Sequence, residues 1–239
     1  MIYLGSQYGG WHFLPLPSLK GSTVFCAGAG EDISFDIEIA NRFGCSVMII
    51  DPTPRAAQHF SDVANRFGDP SKQAFVSGGK QPVTAYDLTE INANRIQFSE
   101  KALWNKKEKL KFFLPKDPGH VSHSLINYQN NYRDDTAHIE VDTATLDSIA
   151  SDYAISLNAL ELLKLDIEGA ETVVIPYLIA NGIRPKQLLV EFDELCEPCE
   201  RATESFFKCH HLIIENNYRL VHFDGSANFL YVRGDIPSQ

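Results

Sequence analysis

The chain lacks what several protein classes require. It has no surplus of positive charge: 21 Lys and Arg stand against 31 Asp and Glu, a formal net charge of −10. A general binder of nucleic acid or of anionic membrane carries the opposite sign. It lacks a disulfide pattern, since its five cysteines, Cys26, Cys45, Cys196, Cys199 and Cys209, are odd in number and unevenly spaced. That excludes a small secreted disulfide framework and favours a reducing, cytoplasmic setting. It has no long apolar run. The longest uncharged stretch, residues 1–19, is broken by Gly5, Gly9, Gly10, Pro15 and Pro17 and has no basic start, so it reads as neither signal peptide nor membrane span. There is no internal repeat and no Ser/Gly linker. What is present is ordinary globular material, 44% hydrophobic and 22% charged, in 239 residues, enough for one well-buried domain.

Short apolar runs alternate with helical periodicity. Residues 23–26 read as a strand ending in glycines. Residues 33–43 carry Ile33, Ile37, Ala40 and Phe43 near helical spacing and stop at Gly44. Residues 47–50 form a second strand, closed by Asp51, and a polar helix follows over 55–66. Further strands are expected at 95–98, 109–114, 139–141, 162–167 and 187–192, with helices at 145–153, 170–180 and 203–216. Residues 219–223 and 228–232, joined through Asp224-Gly225, read as a final antiparallel pair. Nearly continuous apolar strands alternating with helices predict an α/β fold, a mostly parallel doubly wound sheet with an antiparallel C-terminal hairpin. Ligands of such sheets bind beyond the carboxyl ends of the strands, where the strand order reverses.

Two segments stand at such ends. Cys26-Ala27-Gly28-Ala29-Gly30-Glu31-Asp32 turns from strand to helix, and Gly28 and Gly30 permit close approach to a ligand. The dinucleotide fingerprint wants a third glycine where Ile33 stands, and Glu31 and Asp32 would repel phosphate. The loop therefore suits a nucleoside carrying an amino acid better than a dinucleotide. The plain alternative is a tight strand-to-helix turn. Asp51, about 20 residues on, has the place of a ribose-binding acid. Its plain alternative is a capping role before Pro52.

The second segment is Leu163-Lys164-Leu165-Asp166-Ile167-Glu168-Gly169-Ala170-Glu171. In extended backbone Asp166 and Glu168 share a face, and paired acids suit general base work or cation binding. Lys164 could form a structural pair with Asp166, and Glu171 reads as a residue of the next helix's first turn.

The same segment resembles the signature of the FkbM family of S-adenosylmethionine-dependent methyltransferases. The resemblance extends in order to Tyr8-Gly9-Gly10-Trp11, to Gly28 through Asp36, to Asp51-Pro52-Thr53-Pro54, to His120-Val121-Ser122-His123-Ser124 and to 187–192 with Glu191. It implies a Rossmann-like class I methyltransferase fold over residues 1–239. Residues 1–20 are then an N-terminal segment packed near the cofactor site, and 100–140 an inserted hairpin-and-loop region. The implied cofactor is S-adenosylmethionine and the implied reaction O-methylation of a hydroxyl on a small molecule or sugar. By carry-over, Gly28, Gly30, Glu31, Asp32, Asp51, Glu100, Ala102 and Asp166 bind the cofactor, with Gly28 and Gly30 at the methionine part and Asp51 at the ribose. Cys26 stands where many methyltransferases have an acid, and Asp32 or Asp166 is then the substitute for holding the ammonium.

Transfer to a hydroxyl needs positioning and a base. Asp166 and Glu168 are the favoured bases and His123 the alternative, with Glu191 and His120 further candidates. A divalent cation on Asp166, Glu168 and Glu191 is a second route, although no resident metal is expected. Cys196 and Cys199 with Cys209, His210 and His211 offer only one C-x-x-C, and free thiols are the preferred reading. The Lys-rich stretch 101–111 reads as a solvated face. The expected partner is a small-molecule or glycan acceptor, neither nucleic acid nor membrane. Tyr8, Trp11, Trp104 and Tyr128 are candidate acceptor aromatics. The rival functions are an NAD(P)-type oxidoreductase or epimerase, which would want a Tyr-x-x-x-Lys pair that neither Tyr153 nor Tyr177 provides, and a non-catalytic binding module of the same fold.

Overall fold

The computed structural model describes residues 1–117, 119, 121–133, 135–196 and 198–237. In chain order the elements are β1 (Ile2–Leu4), β2 (Trp11–Phe13), β3 (Thr23–Ala27), α1 (Ser34–Phe43), β4 (Ser46–Ile50), α2 (Pro54–Ala64), β5 (Ile96–Ser99), β6 (Ala102–Leu103), β7 (Lys109–Phe113), β8 (His138–Ala144), α3 (Leu146–Asp152), β9 (Leu162–Leu165), α4 (Glu171–Ala180), β10 (Gln187–Glu191), α5 (Glu200–Glu215), β11 (Tyr218–Phe223) and β12 (Asn228–Arg233). Most lie within three residues of the elements read from the sequence.

The main sheet has seven strands in the order β11-β12-β10-β9-β3-β4-β5. β10, β9, β3, β4 and β5 run parallel, and β12 and β11 close the sheet antiparallel. β9 is buried at every position, the pattern of a strand covered on both faces. Alternate residues divide between two cores. Val24, Cys26, Val47 and Ile49 pack with Ile37 and Ala40 of α1 and Val63 of α2. Phe25, Met48, Leu163 and Leu165 pack with Ile149 of α3, Val174 of α4 and Ile213 of α5. The sheet is therefore doubly wound, Rossmann-like, with an antiparallel C-terminal finish. Helix ends follow local chemistry: Gly44 terminates α1 in left-handed backbone at φ 63, and the Thr53 side chain caps α2 by accepting from Ala56 N.

The chain enters at β3, builds outward through β4 and β5, and returns to β9 on the other side of β3. The reversal thus falls between β3 and β9, which places the crevice at Gly28 and Asp166. Two smaller sheets flank this point. β1 and β2 form an antiparallel hairpin, tied to β10 by Leu14 N donating to Gln187 Oε1 at 2.7 Å and Gln187 Nε2 donating back to Leu14 O at 3.0 Å. β6, β8 and β7 form a three-stranded sheet, and the lysines flanking β6 pair locally: Lys101 with Asp152 at 2.6 Å and Lys106 with Glu108 at 3.1 Å.

Candidate active site

A cavity of about 410 Å³ opens at the reversal point. Its floor is the glycine loop after β3. Gly28, at φ 85, admits no side chain, because a Cβ there would overlap the Asp166 carbonyl oxygen; Gly30 sits at φ 51. Asp51, at the end of β4, faces the cavity and locks this loop. Its Oδ2 accepts from Ala29 N and Gly30 N, both at 2.9 Å, and its Oδ1 accepts from Thr53 N at 2.8 Å and the Thr53 hydroxyl at 2.6 Å. Those bonds use the acceptor sites that a carboxylate offers. In this structure Asp51 therefore holds the loop, and a ribose hydroxyl would share oxygens already engaged.

The other acids of the loop are also engaged. Asp32 lines the cavity, but its Oδ2 accepts from Ser6 Oγ at 2.5 Å and its Oδ1 from Ser34 N at 2.9 Å. It anchors the N-terminal segment and the start of α1. Glu31 pairs with Arg55 of α2 and with Lys80 at 2.7 Å, and these two cations overcome the opposing effect of burial and lower its pKa. Cys26 is fully buried, and burial raises its thiol pKa well above the ordinary range, so it does not substitute for an ammonium-binding acid.

The opposite wall comes from the ends of β9 and β10. β9 stops at Leu165, so residues 166–168 are not extended as the sequence suggested. Glu168 turns into left-handed backbone at φ 58, followed by Gly169 at φ 90. A non-glycine residue held there is strained and needs support. The support is visible. Ser124 Oγ donates to Glu168 O at 2.6 Å, while Tyr128 OH and Gln129 Nε2 donate to Glu168 Oε2 at 2.9 and 3.0 Å. Burial, then the Asp166 charge, push the Glu168 pKa up to about 7. Asp166 lies 3.4 Å from Lys164 Nζ, which also donates to Gly28 O at 2.5 Å and sits 5.5 Å from the Trp11 ring centre. Lys164 is buried, which alone would lower its pKa; Asp166 and Asp36 outweigh this and raise it. The structural pairing of Lys164 with Asp166 is thus present. Glu171 takes the local role, accepting from Ile167 N at 2.5 Å.

Glu191, ending β10, and Asp193, opening the turn Asp193–Leu195, complete the wall. Burial and neighbouring acids push Glu191 up to about 9 and Asp193 well above the usual range. Asp193 was not among the residues singled out from the sequence. It is two positions beyond Glu191, and the rule that strand ends bear ligands would have reached it.

His123 also lines the cavity, its Nδ1 3.1 Å from Val121 O and its ring against Phe112. His120 lies outside the described residues. Ala102, Tyr8, Trp11 and Tyr128 line the cavity. Glu100 does not: it is exposed, on the solvent side of the β5–β6 connection, because the buried Ser99 and Ala102 on either side take the inward positions. Trp104 is likewise absent from the lining. The cysteine–histidine zinc set does not assemble. Cys199 caps α5, accepting from Ala202 N, Cys209 is buried in the core below, and Cys196 instead faces Glu191 and Asp193.

A strand-order reversal with a glycine loop on one side and acids on the other is the place where open α/β sheets bind their ligands. Residues 6–220 match the family described as the methyltransferase FkbM domain, and the chain belongs to that family. It is a methyltransferase by family, which sets aside the oxidoreductase reading. A search of curated proteins finds none that matches. Among the described residues no helix is long and apolar enough to cross a membrane.

The cofactor that the family implies fits these residues. S-adenosylmethionine is a sulfonium and carries an ammonium, and the wall offers Asp166 and Glu168, with Lys164 as the one Lys or Arg among the lining residues. Gly28 and Gly30 border the cavity, and at Gly30 the nearest atom to an added Cβ is a Val121 methyl, so the loop can approach a ligand there.

Proposed function

We propose that the protein transfers a methyl group from S-adenosylmethionine to a hydroxyl of a small molecule or sugar, with Glu168 as the base. Bound S-adenosylmethionine supplies an electrophilic methyl group. The backbone of Gly28 and Gly30 borders its methionine end, Asp51 its ribose, and Ala102 and Phe112 its adenine. Glu168 would take the acceptor's hydroxyl proton on its carboxylate, while the methyl group would leave sulfur for the acceptor oxygen, the carbon–sulfur bond breaking to release S-adenosylhomocysteine. Tyr128 and Gln129 hold that carboxylate in place, so that the proton moves without prior rearrangement. Lys164 fixes Asp166 beside it.

The observation that carries this reading is the Glu168 carboxylate itself, partly buried at the cavity wall, held by the Tyr128 and Gln129 side chains, with a pKa of about 7. A base with that value is half available at neutral pH and still basic enough to take a proton. The cysteines, none in a disulfide, support a cytoplasmic location.

The test is thermal unfolding with S-adenosylhomocysteine and, separately, with NAD. A ligand at 100 times its Kd adds about 2.7 kcal/mol to the folded state, which raises Tm by roughly 5–10 °C in a chain of this size. A rise with S-adenosylhomocysteine alone is expected. A rise with NAD alone would remove the reading.

A further inference from the structure

We propose that Glu191, Asp193 and Cys196 hold one divalent transition-metal ion of the zinc type at the edge of the cavity. Their ligand atoms, two carboxylate oxygens and a sulfur, lie within 4.8 Å of one another. Zinc bonds of about 2.0–2.3 Å put tetrahedral ligands roughly 3.3–3.8 Å apart. Small side-chain rotations, of about an ångström or less, therefore close the set around one ion.

A second observation, independent of the clustering, points to a missing ligand. Asp193 is 7% exposed, lines the cavity, and its Oδ2 has no hydrogen-bond partner. A buried carboxylate oxygen without a donor is costly, and native proteins rarely leave one so. No Lys or Arg comes near enough to pair with it among the described residues; the wall's cation, Lys164, is spent on Gly28 O and Asp166. Asp166 and Glu168 add further negative charge to the same wall. A dication answers the orphaned oxygen and the local charge together.

The donor set selects the ion. Magnesium and calcium take oxygen ligands, whereas a thiolate with two carboxylates favours zinc and its first-row neighbours. Three protein ligands from one short segment leave a fourth position open, as catalytic zinc sites do. That position faces the cavity. An acceptor hydroxyl bound there is made more acidic and lies within reach of the acid wall. The site rests on the geometry alone; the role given to its ion rests on the methyl-transfer reading.

The experiment uses the full chain, stripped with a chelator and titrated with Co2+ as an optical stand-in for Zn2+. One ion per chain is expected, with a near-ultraviolet thiolate-to-cobalt charge-transfer band that added Zn2+ abolishes. Cys196→Ser loses the band. Cys199→Ser, which keeps an oxygen at the α5 cap, retains it. Asp193→Asn weakens binding by more than the roughly 10–100-fold that loss of a supporting hydrogen bond costs. Its circular dichroism and Tm without metal remain those of a folded chain, because Asn keeps the size of the Asp193 side chain and adds no charge. The proposal is overturned if the parent shows no band, if the band follows Cys199 instead, or if folded Asp193→Asn binds Co2+ as the parent does. No cofactor is present in this titration. A chain that binds Co2+ as described but not S-adenosylhomocysteine would lose the methyl-transfer reading and keep the metal site.

Discussion

Replacing Lys164 by Met tests the electrostatic balance under the glycine loop. The Lys164 side chain is 4% exposed and faces two acids of different standing: Asp166, whose side chain is 32% exposed, and Asp36, which is buried with neither carboxylate oxygen hydrogen-bonded. Removing one partner of a buried pair costs about 3–5 kcal/mol, because the other charge stays behind. The lower end applies here, since Asp166 keeps access to water and Asp36 can take up a proton, its pKa already raised by burial. Met fills a volume similar to the lysine stem, so no cavity term is added. At roughly 2–4 °C per kcal/mol the Tm of K164M should fall by about 6–12 °C. The assay is differential scanning calorimetry of K164M, of D36A and of the double variant. Asp36 is the acid that cannot be resolvated, so the double variant should cost less than the two single changes together, with a coupling of at least ~1 kcal/mol. Additive losses, or a K164M Tm within about 2 °C of the parent, would refute the reasoning that Lys164 compensates a buried acid.

Gly28→Ala should cost about 1–2 kcal/mol from its left-handed backbone alone, displace the Asp166 carbonyl and weaken S-adenosylhomocysteine binding; calorimetry reads both. Because a base acts in its deprotonated form, kcat/KM should rise with pH through about 7 and then level, as set by Glu168, and Glu168→Gln should lower turnover roughly 100-fold or more while leaving S-adenosylhomocysteine affinity nearly unchanged. The same carboxyl has a folded pKa above its unfolded one, so its contribution to stability is present at low pH and lost as pH rises from about 4.5 through about 7; Tm of the chelator-treated protein should decline over that window, and less so in Glu168→Gln. Ser6→Ala removes the donor to buried Asp32 and should cost about 1.5–3 kcal/mol, measurable by urea denaturation.

The central strands of the main sheet were legible because burial on both faces writes them as apolar runs, and the first helix because its spacing stops at Gly44. The hairpin of β1 and β2 was not. Its strands are three residues each, and the hairpin is tied to the main sheet through Gln187, far along the chain. The acids of the site were legible as residues at strand ends, but not their allegiances. Nothing in a sequence shows that Asp51 is saturated by its own loop, that Asp32 belongs to Ser6, or that Glu100 points to solvent. The support of Glu168 was equally hidden, since Ser124, Tyr128 and Gln129 approach it from about 40 residues away.

The saturation of Asp51 has a thermodynamic consequence for recognition. A glycine loop left to itself is the most entropic stretch a chain can carry. Here two hydrogen bonds to one carboxylate, itself fixed by two more from Thr53, hold it before any ligand arrives. Ligand binding then spends little on ordering this segment, and preorganisation of this kind tightens affinity without adding a contact. The amides of Ala29 and Gly30 should exchange slowly with solvent in the ligand-free protein, and only slightly more slowly in the complex.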